Sequence, residues 1–391
     1  MDKEQKYLIE LSRAYLDEKR ISLKGDIDYK RLYSLAREHN LCGVLYCAVK
    51  NAESKDVIEK ELFNRLENTF FDLVYTSNMQ VQTLGEVKEL LSQAQIRFVL
   101  FKGAVLRNLF PVAESRSMGD TDLLIDKENR NKVKELLTAN GFICKSSNGP
   151  VWDYEKNGVL FEIHTSALNG KAGSGDVKEH FENAIERAVF NGYEGVFPDE
   201  YHFEYLIAHI AHHFCFYGAG IKLVLDLAAV LKKCNVNLDR VLLNLSECEL
   251  SDFARVILSV CFKWYGVGRD FGISTQKTED FLACHGAFGN SNRSTAAVLE
   301  RRAIEENASS GKISSKMRLL FPSYEKMKEI PYIKFIEGRP YLTPLAWAYR
   351  LFYNIKNRKD FMKTAVSELG SDNARAQAAD EYDYFKEIGL I

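Results

Sequence analysis

Apolar positions in the first 85 residues recur every three or four steps. Leu8, Leu11, Tyr15 and Leu16 share one helical face, as do Leu32, Leu35 and Ala36, and then Ile58, Leu62, Phe63, Leu66, Phe70 and Leu73. The spacing predicts a helical N-terminal segment over residues 1–85. It holds no acid pair, glycine-rich loop or ligand cluster, so its expected part is packing, or a wall on the substrate side. From residue 86 the pattern changes. A helix over Val87 to Ala94 leads into an apolar strand, Ile96 to Phe101, and a short helix, Ala104 to Phe110, stopped by Pro111. Asp120 to Ile125 reads as a strand and Asn129 to Ala139 as a helix ended by Asn140-Gly141. Val151 to Glu155 and Val159 to His164 read as strands joined at Asn157-Gly158, a pair that favours a tight hairpin. The expected fold class is α+β: a small mixed β-sheet core over residues 86–195, with helices on one side, flanked by N-terminal and C-terminal helical segments. Helical periodicity returns over residues 196–391, in Glu200 to Phe216, Ile221 to Lys233, Leu238 to Leu245, Asp252 to Trp264, Ser294 to Asn307, Leu342 to Ile355 and a last helix through Tyr382 and Phe385. Gly266 to Gly289 shows no clear period, and Gly170 to Gly175 reads as a loop.

Composition narrows the function classes. Apolar residues at 46% against 27% charged exclude a disordered chain. A net charge of −2 excludes a global basic field, so nucleic acid is not an expected partner. Two basic clusters, Lys312, Lys316 and Arg318, then Arg350, Lys356, Arg358 and Lys359, have few aromatics between them and read as solvated faces. No apolar run resembles a signal segment or a bilayer span, so a soluble cytoplasmic protein without a membrane partner is expected. Eight scattered cysteines without a CxxC pair fit reduced thiols.

The chemistry concentrates in two strands. Alternation puts Asp120 and Asp122 on one face of theirs, with Thr121 opposite. Glu162 lies between Phe161 and Ile163, so it projects away from a buried face, and a meander would bring its strand beside the first. Three carboxylates gathered from neighbouring strands repel one another without a cation, and their hard oxygens suit two magnesium ions with substrate phosphates. The competing reading makes Asp120 a turn cap, Asp122 a partner of Arg116 and Glu162 an edge charge; the coincidence of three acids favours the site. His164 faces the same side as Glu162 and is placed to orient an acceptor or a carboxylate. His202, His209 and His213 line a stripe of one helix, with His209 and His213 expected at the rim of the cleft or in the core rather than on zinc, for want of a fourth ligand. Asp226, inside an apolar helix, needs a His or Arg partner, and Lys222 reads as a surface or ion-pair residue.

Phe101-Lys102-Gly103, Arg116-x-x-x-Asp120-x-Asp122-Leu123-Leu124 and Glu162-x-His164 resemble the DNA polymerase beta-like nucleotidyltransferase superfamily, and more narrowly a little-characterised bacterial nucleotidyltransferase family. The likeness continues through His209-x-x-His212-His213 and Asp226-Leu227-Ala228, covering residues 85–235. The resemblance implies transfer of a nucleoside monophosphate from an NTP to a hydroxyl or phosphate of a small molecule, sugar or protein, with pyrophosphate released. Asp120, Asp122 and Glu162 would hold the magnesium ions, with Glu162 beside the acceptor. Gly103 at a helix start would let backbone N–H groups approach the triphosphate, and Lys102 and Arg116 would balance its charge. Lys102-Gly103 departs from the usual Gly-Gly or Gly-Ser, Glu162 stands where Asp is common, and Lys222 stands where Arg is expected. The alternatives are a toxin-type enzyme of the same chemistry acting on tRNA, and a nucleotide-binding regulator without turnover.

Overall fold

A computed structural model describes residues 1–54, 57–168, 172–173, 177–287, 295–310, 321–328, 330–357 and 371–391. The chain divides into two units, residues 1–290 with Leu390, and residues 291–389 with Ile391. Four helices open the first unit: α1 (Lys3–Leu16), α2 (Tyr29–Glu38), α3 (Cys42–Lys50) and α4 (Lys60–Gln93). Asp2 starts α1 with a capping box, its carboxylate accepting from the Gln5 N–H while the Gln5 side chain accepts from the Asp2 N–H, both at 2.8 Å. Two helices had been expected where α4 runs unbroken. With no proline between Leu62 and Leu91, every residue there keeps the N–H that the backbone ladder needs.

The sheet is built from β1 (Phe98–Leu100), β2 (Asp120–Ile125), β3 (Ile143–Ser146), β4 (Val151–Lys156), β5 (Val159–His164), β6 (Val189–Asn191) and β7 (Glu194–Val196), in the order β3-β4-β5-β2-β1-β7-β6. Between them lie the short α5 (Gly103–Leu106), α6 (Arg130–Ala139) and α7 (Lys178–Phe181). β4 and β5 form the expected hairpin, with Asn157 and Gly158 both at positive φ, 53° and 76°, as a type I′ turn requires. β5 does lie beside β2, but parallel to it, so the connection is a crossover through α6, β3 and β4 rather than a meander. One face of the sheet carries Phe98, Leu123, Tyr154 and Phe161 against Val87 of α4 and Val133 of α6. The opposite face carries the acids. Helices are not confined to one side: α8 (Asp199–Phe216) reaches the second face, where Phe101 meets Tyr205 edge-on at 5.3 Å. Strands β3, β6 and β7 had no sequence signal, being three or four residues long.

Helices α9 (Ile221–Lys233), α10 (Leu238–Ser246), α11 (Ser251–Tyr265) and α12 (Gln276–Cys284) complete this unit, α12 filling the stretch without a clear period. The second unit contains helices Thr295–Ser310, Tyr324–Lys328, Thr343–Asn357 and Asp372–Glu387, and a small core of Met327, Ile333, Ile336 and Ala346. Lys312, Lys316, Arg318, Arg358 and Lys359, and residues 170, 171, 174 and 175 of the expected loop, lie outside the described residues. Among the described residues no helix is long and apolar enough to cross a membrane. All eight cysteines are free, and burial pushes the Cys42 and Cys47 thiols up to about 11, away from reactivity.

The N-terminal helices grip one segment of the core. The Val112 N–H donates to the Tyr15 hydroxyl at 2.9 Å, Ser115 Oγ lies 2.8 Å from the same hydroxyl, and Ser117 Oγ donates to the Asn40 carbonyl at 2.9 Å. Helix α3 presses against this segment so closely that a Cβ on Gly43 would stand 2.4 Å from the Ser115 carbonyl oxygen. The gripped residues flank Arg116. Gly43→Ala is therefore expected to destabilise the protein by about 1–3 kcal/mol in denaturant melts. Gly85→Ala, in an exposed turn of α4 with open space around it, should instead stabilise it by roughly 0.5–1 kcal/mol.

Candidate active site

Parallel pairing of β2 with β5 sets Asp122 directly opposite Glu162, and residues opposite each other in register share a face. Asp120 lies two residues earlier on that face. His164, two residues beyond Glu162, closes the group: its Nε2 is 2.9 Å from Asp122 Oδ1 and 3.1 Å from Glu162 Oε2. A fourth acid, missed in the sequence, adjoins them. Asp153 of β4 pairs in register with Glu162, and the alternation Trp152-Asp153-Tyr154 between two buried rings was the available signal.

The turn after β1 brings the balancing charge. Lys102 Nζ donates to Asp122 Oδ1 at 2.7 Å, while its backbone N–H donates to His202 Nε2 at 3.2 Å. Its backbone sits at φ 51°, ψ −129°, a region that glycine adopts freely and a lysine enters at a cost of about 1–3 kcal/mol. The next residue is closely covered: a Cβ on Gly103 would meet Met118 Sδ at 2.9 Å and Arg116 Nη1 at 3.0 Å, so a larger residue would have to displace one of those side chains. Gly103 does begin a helix, but α5 has only four residues, so attraction of an anion there comes from individual N–H groups rather than a long dipole.

Charge separates the carboxylates. Burial, reinforced by the charges of Asp122 and Glu162, pushes Asp120 up to about 6. Burial alone would raise Asp122 too, yet the Lys102 ammonium and the His164 hydrogen bond hold it well below the usual carboxylate range. Lys102 is correspondingly raised: burial opposes its charge, but Asp122 more than offsets that penalty. His164 is also raised, burial being outweighed by its bonds to Asp122 and Glu162. Burial and the charge of Glu162 raise Asp153.

The opposite wall comes from α8 and α9. Arg116 and Asp226 form a buried bidentate pair, Nε to Oδ1 at 2.7 Å and Nη2 to Oδ2 at 2.8 Å. Asp226 thus has the arginine partner its apolar helix called for, and Arg116 is not on Asp122. Lys222 corrects the expectation of a surface residue: it is 6% exposed, because α9 is packed on nearly every side, and its Nζ donates to the Ser117 carbonyl at 2.7 Å. Burial beside Arg116 pushes its ammonium down to about 7. A lysine in an apolar helix, one turn before a buried acid, was the signal for it. His209 and His213 lie with their Nε2 atoms 3.1 Å apart. Burial pushes both down, His213 to about 4, so the pair is neutral near pH 7.

These walls enclose an open cleft of about 270 Å³ lined by Lys102, Gly103, Arg116, Asp120, Asp122, Glu162, His209, His213, Lys222 and Asp226, among others. His164 stands behind the carboxylates and His202 behind the Lys102 turn. Among the described residues one group of three or more possible metal donors lies within mutual reach, Asp122, Glu162 and His164; the His209 pair is not in it, nor is Asp120, for which His164 stands instead. The donor set suits a hard divalent cation. Carboxylates line an open cleft, and the charges of Asp122 and Glu162 add to burial in raising Asp120, a repulsion that such an ion would relieve.

The Arg116–Asp226 pair joins the core segment to α9 at the floor of the cleft. Asp226→Ala, which strands a buried guanidinium, is expected to cost about 3–5 kcal/mol in urea melts, and adding Arg116→Met should recover much of that loss.

No curated protein and no solved structure matches the chain. The model of one family, described as uncharacterised nucleotidyltransferase, matches residues 25–266, a span that includes every residue of the cleft. The chain therefore belongs to the uncharacterised nucleotidyltransferase family and is a transferase of nucleotidyl groups.

Proposed function

We propose that the cleft moves a nucleoside monophosphate from an NTP to a hydroxyl or phosphate of a small molecule, sugar or protein, with release of pyrophosphate. The observation that carries this reading is the register pairing of Asp122 with Glu162, with Asp120 on the same face and Arg116 and Lys222 across the cleft. Asp120, Asp122 and Glu162 are the residues that would hold magnesium. Bound there, magnesium supplies a Lewis acid for the reacting phosphate and lowers the pKa of an acceptor oxygen. Glu162, its side chain 32% exposed, is open to an acceptor and is assigned to take its proton. His164 Nε2–H, bonded to both Asp122 and Glu162, fixes the two carboxylates relative to each other. Arg116 and Lys222 bring N–H donors to the far wall, and their separate anchors, Asp226 and the Ser117 carbonyl, hold them in place against a phosphate chain. Neutral His209 and His213, bonded to each other through Nε2, add uncharged rings to the cleft lining, suited to stacking with a base.

The test is pyrophosphate release from each NTP with a panel of candidate acceptors, alongside Asp122→Asn. That variant is expected to lose at least about a hundredfold in rate, several kcal/mol of transition-state stabilisation, while its circular dichroism stays native. Transfer at the wild-type rate would refute the assignment.

A pH dependence follows from Asp120. Its raised pKa makes it a stabilising group below about 4, and that contribution is lost as pH rises through about 6. Metal-free Asp120→Asn should therefore gain on the wild type as pH is raised from 4 to 7. The expected gain is about 1–2 kcal/mol, allowing for the solvent that reaches this carboxylate, and thermal melts across that range would measure it.

A further inference from the structure

Three clustered acids would ordinarily call for two divalent ions, but one oxygen that such a pair would share is already taken. Asp122 Oδ1 accepts both from Lys102 Nζ at 2.7 Å and from His164 Nε2 at 2.9 Å. We propose that Lys102 is the second cation of this site: its ammonium, fixed on Asp122, stands in for one divalent ion and leaves a single metal subsite among the remaining carboxylate oxygens of Asp120, Asp122 and Glu162. This rests on the reading of the cleft as a nucleotidyl-transfer site.

The ammonium is held in place from several directions. Its side chain is 19% exposed, and Nζ lies 5.3 Å from the centre of the Phe101 ring, close enough for a cation–π contact. The backbone N–H is tied to His202 Nε2. His202 is pushed down to about 4, chiefly by burial, so it is neutral and able to accept. A surface lysine would sample many rotamers, whereas this one has its head and its backbone fixed. The strained backbone points the same way. At φ 51° a glycine would relieve the turn, so a lysine here sets a local penalty against something its side chain does. The charge count supplies the reason. One ammonium cancels part of the repulsion among Asp120, Asp122 and Glu162, and a single divalent ion then suffices to neutralise the rest beside a phosphate chain.

The experiment counts manganese. Full-length protein is saturated with a non-hydrolysable NTP analogue and titrated with Mn²⁺, with bound ions counted by electron paramagnetic resonance. The wild type should bind one ion per chain. Lys102→Gly, which removes the ammonium and relaxes the turn, should bind two. Lys102→Met keeps the turn strained and removes only the charge. It should also bind two ions, and it should melt several degrees lower without metal and recover with it. Two ions on the wild type, or one ion on both variants, would overturn the inference while leaving nucleotidyl transfer intact. A wild type that binds neither Mn²⁺ nor the analogue would overturn the transfer reading and this inference with it.

Discussion

Carboxylates gathered on one face of a sheet push one another apart, and the ion pair between Lys102 and Asp122 offsets part of that repulsion at its most buried point. Asp122 is 2% exposed, a depth at which an unpaired carboxylate would take up a proton. With Lys102 and His164 both on Oδ1 it remains ionised, while Asp120, which has no such partner bond among the described residues, is raised by burial and by the charges of Asp122 and Glu162. The site therefore has one acid locked in its charged form and one poised to change. That division comes from position alone, since the two side chains are identical.

A second buried pair sets the far side of the cleft. Arg116 leaves the core just before β2 and is clasped by Asp226 of α9, so the far wall and the acidic strand begin only four residues apart in the chain. The N-terminal helices contribute by clamping the same segment through Tyr15, Asn40 and the bare backbone of Gly43. Their packing is directed at the residues on either side of Arg116. A shift there would move a guanidinium relative to the carboxylates it faces. Small displacements of charged groups change electrostatic stabilisation steeply in a partly dry cleft.

Much of the acidic face was legible from residue order. Two-residue alternation placed Asp120, Asp122 and Glu162 outward from buried neighbours, and Asn157-Gly158 marked its hairpin because both residues tolerate positive φ. The parallel pairing of β2 with β5 was not legible, since a crossover and a meander can bring the same two strands together. Nor were β6 and β7, whose three residues are too few to show a period. Lys222 was misplaced because a charged side chain ordinarily faces water, and only the packing around α9 keeps it inside.

What the sequence determined by itself was local: which stretches form strands or helices, which side chains leave the buried face, and that three oxygen acids share a direction. Backbone sterics and alternation suffice for that. The tertiary structure decided where charges separated along the chain come to rest, placing Lys102 on Asp122 and Arg116 on Asp226, 110 residues apart in the sequence. Such pairings follow from how whole elements dock, because a buried charge takes whatever partner the packing brings within reach and no local pattern records which one that is.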